Sequence, residues 1–146
     1  MAVAKTFDLD RFRIAQQTFY ATALAEIQSG HKQSHWVWYI FPQIKGLGQS
    51  EKSQYYGIES LEEARAFLQD ETLRANLLEI TNALLSLESN DAEWVMGWPD
   101  CLKLQSCMTL FSLADPSVPV FQQVLKKYFG GETDAKTIGL LHCVKP

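Results

Sequence analysis

Apolar residues in this chain recur at three- and four-residue steps, and each run is soon cut short by glycine, proline or a helix-capping side chain. That pattern restricts the chain to short helices packed along apolar stripes. Phe12, Ala15, Phe19, Ala23 and Ile27 form the first stripe, with Asp8 or Asp10 as the expected cap and Gly30 as a left-handed stop. Ser60, with Glu63 three residues on, is a capping box that opens a helix through Leu68. Asp70 caps another, carrying Leu73, Leu77, Ile80, Leu84 and Leu87. Asn90 or Asp91 starts a short turn that Gly97 stops. Pro99 suits a first helical position, and the spacing predicts a helix from Asp100 to Ala114. Val120, Val124, Leu125 and Tyr128 make the next, ending at Gly130-Gly131, and Thr133 or Asp134 caps a last helix through His142. The expectation is an all-α chain: a compact irregular bundle of seven or eight short helices with no significant sheet. It has too many breaks for an up-and-down four-helix bundle.

The chain has 146 residues, 47% of them apolar and 21% charged, which suits one globular domain over 1–146 with its own core. A core of that size needs neither disulfide nor metal to hold it. The formal charge is −4 and the sequence pI about 5.3, so the overall field mildly repels duplex nucleic acid. Basic residues are scattered, Lys126-Lys127 being the one adjacent Lys/Arg pair, and no nucleic-acid partner is expected. Cys101, Cys107 and Cys143 are odd in number and lack C-x-x-C spacing, which argues against a secreted disulfide framework or a structural zinc site. Phe7-Asp8-Leu9-Asp10 offers no signal-peptide core, and no stretch approaches the ~20 apolar residues of a membrane span. These readings point to a reduced, cytoplasmic protein without membrane contact or cofactor. They leave its oligomeric state open.

The segment from Gly30 to Gly57 is where chemistry and fold meet. Trp36, Trp38, Tyr39 and Phe41 fall within six residues and run to Pro42. An unbroken apolar run has no readable period; without a second strand to pair with, it is read as a short helix capped by Ser34. Lys45, Gly46, Gly48, Ser50 and Ser53 follow. They offer backbone N–H groups, a cation and a helix start, a set that suits phosphate or carboxylate. A tight connector with a serine cap explains the same residues, and neither a P-loop nor a dinucleotide fingerprint is present. Trp36, Trp38 and Tyr39, with Tyr55 and Tyr56, are either core or the wall of a site that stacks a planar ring.

A second informative row is Asp100, Lys103, Ser106 and Thr109, spaced every third residue so that neighbours touch. Leu104, Cys107, Met108 and Phe111 lie on one side of that helix and Leu102 and Leu113 on another, so the helix is expected to be mostly buried. Lys103 then either snorkels to solvent, with Asp100 as its ion-pair partner, or serves as a cation for an anionic ligand. His31 and His35 are four apart but lack a third ligand, and no metal site is expected. His35 is either a proton-transfer group or a backbone-bonded histidine beside the aromatic run. Cys101 and Cys107 are read as packing residues. No Ser-His-Asp arrangement is recognisable, and the sequence names no reaction.

The run His35-Trp36-Val37-Trp38-Tyr39-Ile40-Phe41-Pro42-Gln43, with Lys45-Gly46-Leu47-Gly48-Gln49-Ser50 and Ser53, resembles a bacterial family of unknown function, mainly α-helical. Some members carry a calpastatin-like label in genomes. Tyr56-Gly57-Ile58, Asp100-Cys101-Leu102-Lys103, Ser106, Met108-Thr109-Leu110-Phe111 and Phe129-Gly130-Gly131 with Asp134 extend the resemblance over essentially the whole chain. It implies the all-α fold and brings no established activity or catalytic residue. The calpastatin label sits badly with a chain that has a full core, since an inhibitor of that kind is largely disordered before binding. Gln105 stands where the family is associated with a basic residue, which weakens the case for an anion site on that helix.

Two functional readings follow. In the first, an anionic and nucleotide-like small molecule is bound, with Trp36, Trp38, Tyr39 and Tyr56 against its ring. Lys45, Gly46, Gly48, Ser50, Ser53, Lys103 and Ser106 hold its charge, and His35 and Asp100 are the proton-transfer candidates. It requires the glycine loop and the Lys103 row to meet, and Lys45 and Lys103 on opposite sides of the domain would end it. In the second, the chain is a non-catalytic interaction module whose aromatic stretch is core or partner surface.

Overall fold

The computed structural model describes residues 7–143, apart from the side chain of Cys143; the first six residues and that third cysteine's side chain lie outside the described residues. Among the described residues the chain forms nine helices: α1 (Asp10–Gln28), α2 (Val37–Ile40), α3 (Glu51–Tyr55), α4 (Leu61–Gln69), α5 (Glu71–Ser86), α6 (Ala92–Met96), α7 (Asp100–Ala114), α8 (Val120–Phe129) and α9 (Ala135–Cys143). The architecture is all-α, as the periodicity predicts. The count exceeds seven or eight because the segment read as a short turn before Gly97 closes into a helix of its own, the five-residue α6. One isolated parallel bridge, Ile44 to Ile58, is the only β pairing among the described residues.

Most expected caps form. The Asp70 carboxylate accepts from Leu73 N–H, that of Asp91 from Trp94 N–H, and that of Asp134 from Thr137 N–H. Gly130 ends α8 at φ 62°, in the left-handed region that glycine tolerates. The capping box reaches one residue farther back than expected: Ser60 Oγ accepts from Glu63 N–H, but the Glu63 carboxylate accepts from Glu59 N–H. Two caps differ. Leu9, not Asp8 or Asp10, precedes α1 without a side-chain cap, because Asp10 pairs instead with Arg13. The residue before α2 is Trp36, because the Ser34 hydroxyl is committed to Glu26.

Helix α7 is the hub, packing against α8, α4, α6, α9 and α2, while α1 packs on α5 and α2. Ten of its fifteen residues are buried, so it presents few positions to solvent. Leu102 and Leu113 are among those it does expose. A row of phenylalanines joins four helices: Phe12 meets Phe67 edge-on at 5.2 Å, Phe67 meets Phe111 at 5.2 Å, and Phe111 meets Phe121 at 5.8 Å. A buried charge pair fixes α1 to α4. Arg11 Nη1 lies 2.9 Å from the carboxylate of Glu63, both side chains almost fully enclosed, and Arg11 also donates to the carbonyls of Tyr55 and Gly57. A buried pair holds only when its remaining hydrogen-bonding positions are filled. Here the carbonyls of the chain after α3 help to fill them. No helix among the described residues is long and apolar enough to cross a membrane.

Candidate functional site

The aromatic run is set in place by one carboxylate. Glu26, near the end of α1, accepts from the backbone N–H groups of Gln33 and Ser34, the Ser34 hydroxyl and the indole N–H of Trp36. Burial pushes this carboxyl up, and the four donors more than offset it, leaving its pKa at about 2. Trp36 is thereby turned inward and is 1% exposed; Tyr39 is 5% exposed. Trp38 is only partly buried, and its ring carries two ammonium groups, Lys52 at 4.8 Å and Lys103 at 5.1 Å from the centroid. Its indole N–H has no hydrogen-bond partner among the described residues.

The glycine loop is held by the single bridge: Lys45 N–H donates to Ile58 O and Ile58 N–H to Gln43 O, each at 2.8 Å. Gly57 lets the two segments approach, since a Cβ there would lie 2.7 Å from Lys45 Cβ and 2.8 Å from its Cα. Gly48 does the same for Ser53, whose Oγ would lie 2.4 Å from an added Cβ. Ser50 caps α3: its hydroxyl accepts from Ser53 N–H and donates to Ser53 Oγ at 2.9 Å.

The third-residue row on α7 does two jobs. Asp100 pairs with Lys32 at 2.8 Å and with Lys103 at 3.2 Å. Burial raises the Asp100 carboxyl, but the two lysines outweigh it and hold its pKa below the usual carboxylate value. Farther along, Ser106 Oγ lies 2.9 Å from Asp134, and Thr109 Oγ1 accepts from Asp134 N–H. The start of α9 is thus docked on the row, which places Lys136 on the same cleft as Lys103.

That cleft, of about 330 Å³, is lined by Gln43, Leu47, Gly48 and Ser53 from the loop and by Pro99, Leu102, Lys103 and Ser106 from the α7 side. Asp134 and Lys136 complete it. The loop and the α7 row therefore meet. A much smaller crevice of about 10 Å³, lined by Trp38, Gly48, Ser53 and Tyr56 among others, has room for about one water and far too little for a ring.

A family profile described as a protein of unknown function (DUF1810) matches residues 6–141. The chain belongs to that family. A solved structure, the conserved hypothetical protein Rv1873 from Mycobacterium tuberculosis, is 43% identical and superposes with a TM-score of 0.91, covering 93% of this chain and 97% of that one. No curated protein matches.

In this DUF1810 chain the site residues named from sequence are divided among several places. Gly48, Ser53, Lys103 and Ser106 share the α7–α9 cleft. Lys45 opens on a different cleft, with Arg11, Glu59 and Glu63, so a ligand between the loop and α7 does not reach it. His35, Tyr39 and Tyr56 line yet another, between α1 and α3. Tyr56 also borders the small crevice, which puts it between the two sites. Trp36 is enclosed, Ser50 is spent on its own cap, and Gly46, at φ 109°, packs against Leu140. No hydrogen bond or ion pair joins His35 to Asp100 among the described residues. His31 stacks on Trp94, and no group of three His, Cys, Asp or Glu side chains converges among the described residues. Cys101 and Cys107 are buried free thiols whose pKa values burial raises. Gln105 donates to Glu132 O.

Sequence reasoning missed Lys32, Lys52, Gln43 and Lys136. Lys32 and Gln43 lie in loops without periodicity, and only the fold brings Lys136 to the cleft that Lys103 lines. Asp134 is legible in the sequence as a helix cap and as part of the family resemblance, but not as a cleft residue.

Proposed function

We propose that this protein binds an anionic small molecule in the cleft between the glycine loop and α7. The observation that carries this reading is that Lys103 and Lys136 line the same concave space of about 330 Å³, with Ser53 and Gln43 as polar neighbours. That volume lies at the lower end of small-ligand sites, roughly 300–1,000 Å³. Pro99, Leu102 and Leu47 supply an apolar wall for the uncharged body of the ligand. Asp134 adds one negative charge to the lining, but it is engaged by Ser106 and Thr137. Phosphorylated and carboxylated metabolites, nucleotides included, fit this chemistry. Trp38 does not line this cleft, and its ring already carries the Lys52 and Lys103 ammonium groups, so this reading assigns it no stacking role. Asp100, held as a carboxylate by two lysines, acts in this reading as the group that positions Lys103 rather than as an acid.

Thermal unfolding with a panel of nucleotides, sugar phosphates and small carboxylates tests the reading. A true ligand at 100 times its Kd adds about 2.7 kcal/mol. For a chain of this size that raises Tm by roughly 5–10 °C. Lys103→Ala with Lys136→Ala should abolish the shift while leaving the protein folded. A second reading, a non-catalytic interaction module, draws on the exposure of Trp94 (62%), Trp98 (68%) and Leu102 (46%). Absence of a shift with every anion would favour it.

A further inference from the structure

Of the seven large apolar side chains exposed among the described residues, Ile14, Phe19 and Tyr55 gather around one concavity, a cleft of about 330 Å³ between α1 and α3. Scattered exposed apolar residues are normal, whereas a concave group of them marks a contact site. Four aromatic rings follow one another at this cleft. Phe19 lies 5.7 Å from Tyr39, Tyr39 lies 5.2 Å from Tyr56, and Tyr56 lies 4.8 Å from Tyr55. The rings are tilted or edge-on to one another rather than coplanar. The two end rings are the open ones, Phe19 46% and Tyr55 59% exposed, so the row offers aromatic faces and edges to solvent at both ends.

The electrostatics are one-sided. Arg11, Lys52 and His35 line the cleft, and no carboxylate does. Arg11 is spent on Glu63 and on backbone carbonyls. Lys52 makes no ion pair among the described residues; its ammonium rests over the Trp38 ring. The hydroxyls of Tyr55 and Tyr56 make no hydrogen bond among the described residues, and burial pushes the Tyr56 phenol up, keeping it a donor.

We infer that this cleft is a second binding site, separate from the one on α7, for a small planar aromatic acid. Its ring lies against the Phe19–Tyr55 row, and its carboxylate or sulfonate is held by Lys52 and the tyrosine hydroxyls. Neither half of that chemistry suffices alone. Rings without a cation would take any apolar guest, and an exposed lysine without rings would take any anion weakly.

Titration of the isotopically labelled protein with 2-naphthoate and with its neutral counterpart 2-naphthamide, followed by backbone amide NMR, tests the site. Naphthoate should move resonances of residues 14–19 and 52–56 and bind more tightly than the amide. Lys52→Ala should weaken naphthoate roughly threefold and leave naphthamide unchanged. Phe19→Ser and Tyr55→Ser, both at exposed positions, should each weaken both ligands about fivefold. Lys103→Ala with Lys136→Ala should alter neither, which separates this site from the α7 cleft. Equal affinity for acid and amide, shifts confined to the α7–α9 cleft, or no shift at millimolar concentration would each overturn the inference.

Discussion

Glu26 does more for the candidate site than any residue that lines it. Its carboxylate gathers four donors and thereby decides that Trp36 turns into the core while Trp38, two residues on, is left partly open beneath Lys52 and Lys103. Glu26→Gln keeps the shape but loses the charge and turns half of the acceptor into a donor. Given its partial exposure, a cost of roughly 1–2 kcal/mol at neutral pH is expected. The folded carboxyl has its pKa depressed from 4.5 to about 2, so the stabilisation is present above 4.5 and lost as pH falls through about 2. Denaturant midpoints of the two proteins should therefore converge across that interval. A difference that persisted undiminished at pH 2 would mean that packing, not charge, carries the effect. Asp100 illustrates what sequence spacing can and cannot tell at this scale. Its bond to Lys103 follows from a three-residue step on one helix, whereas its closer bond to Lys32 spans a loop and a corner and has no local signal.

At the scale of elements, the glycine loop owes its position to one bridge rather than to a sheet. Gly57→Ala would push a methyl group into the Lys45 backbone and force Gln43–Lys45 away from Ile58. A loss of about 1–3 kcal/mol is expected, together with faster amide hydrogen exchange at Lys45 and Ile58. Unchanged exchange at those two amides would show that the bridge does not hold the loop. The α7 row is the other organising element. Its upper half holds Lys32 and faces Trp38, and its lower half docks the cap of α9, so one helical ridge both builds the cleft wall and brings Lys136 to it. The ridge is readable from sequence because it is periodic. Its partners are not, because they come from segments 28 residues downstream and about 70 upstream.

For the whole molecule, the phenylalanine row joins α1, α4, α7 and α8 in one packed core. Phe67, fully buried between two other rings, should cost 3–5 kcal/mol on truncation to alanine. Trp98→Ala, at a residue 68% exposed, should change stability by less than about 0.5 kcal/mol. Chemical denaturation of the pair checks this, and a large cost at Trp98 would mean that its exposed face is covered in solution.

The amino-acid sequence alone determines the helices of this protein, most of their caps and the burial of α7. Each rests on interactions within about four residues, where periodicity and capping chemistry act. It also shows that the aromatic run and the glycine loop adjoin. Which of those aromatics face inward, that Lys45 and Lys103 open on different clefts, and that His35 shares its cleft with tyrosines are decisions of the tertiary structure alone. The reason is physical: a cleft is the space left between elements whose approach is set by long-range packing and by single buried bonds such as those of Glu26 and Arg11. Neither leaves a periodic trace along the chain.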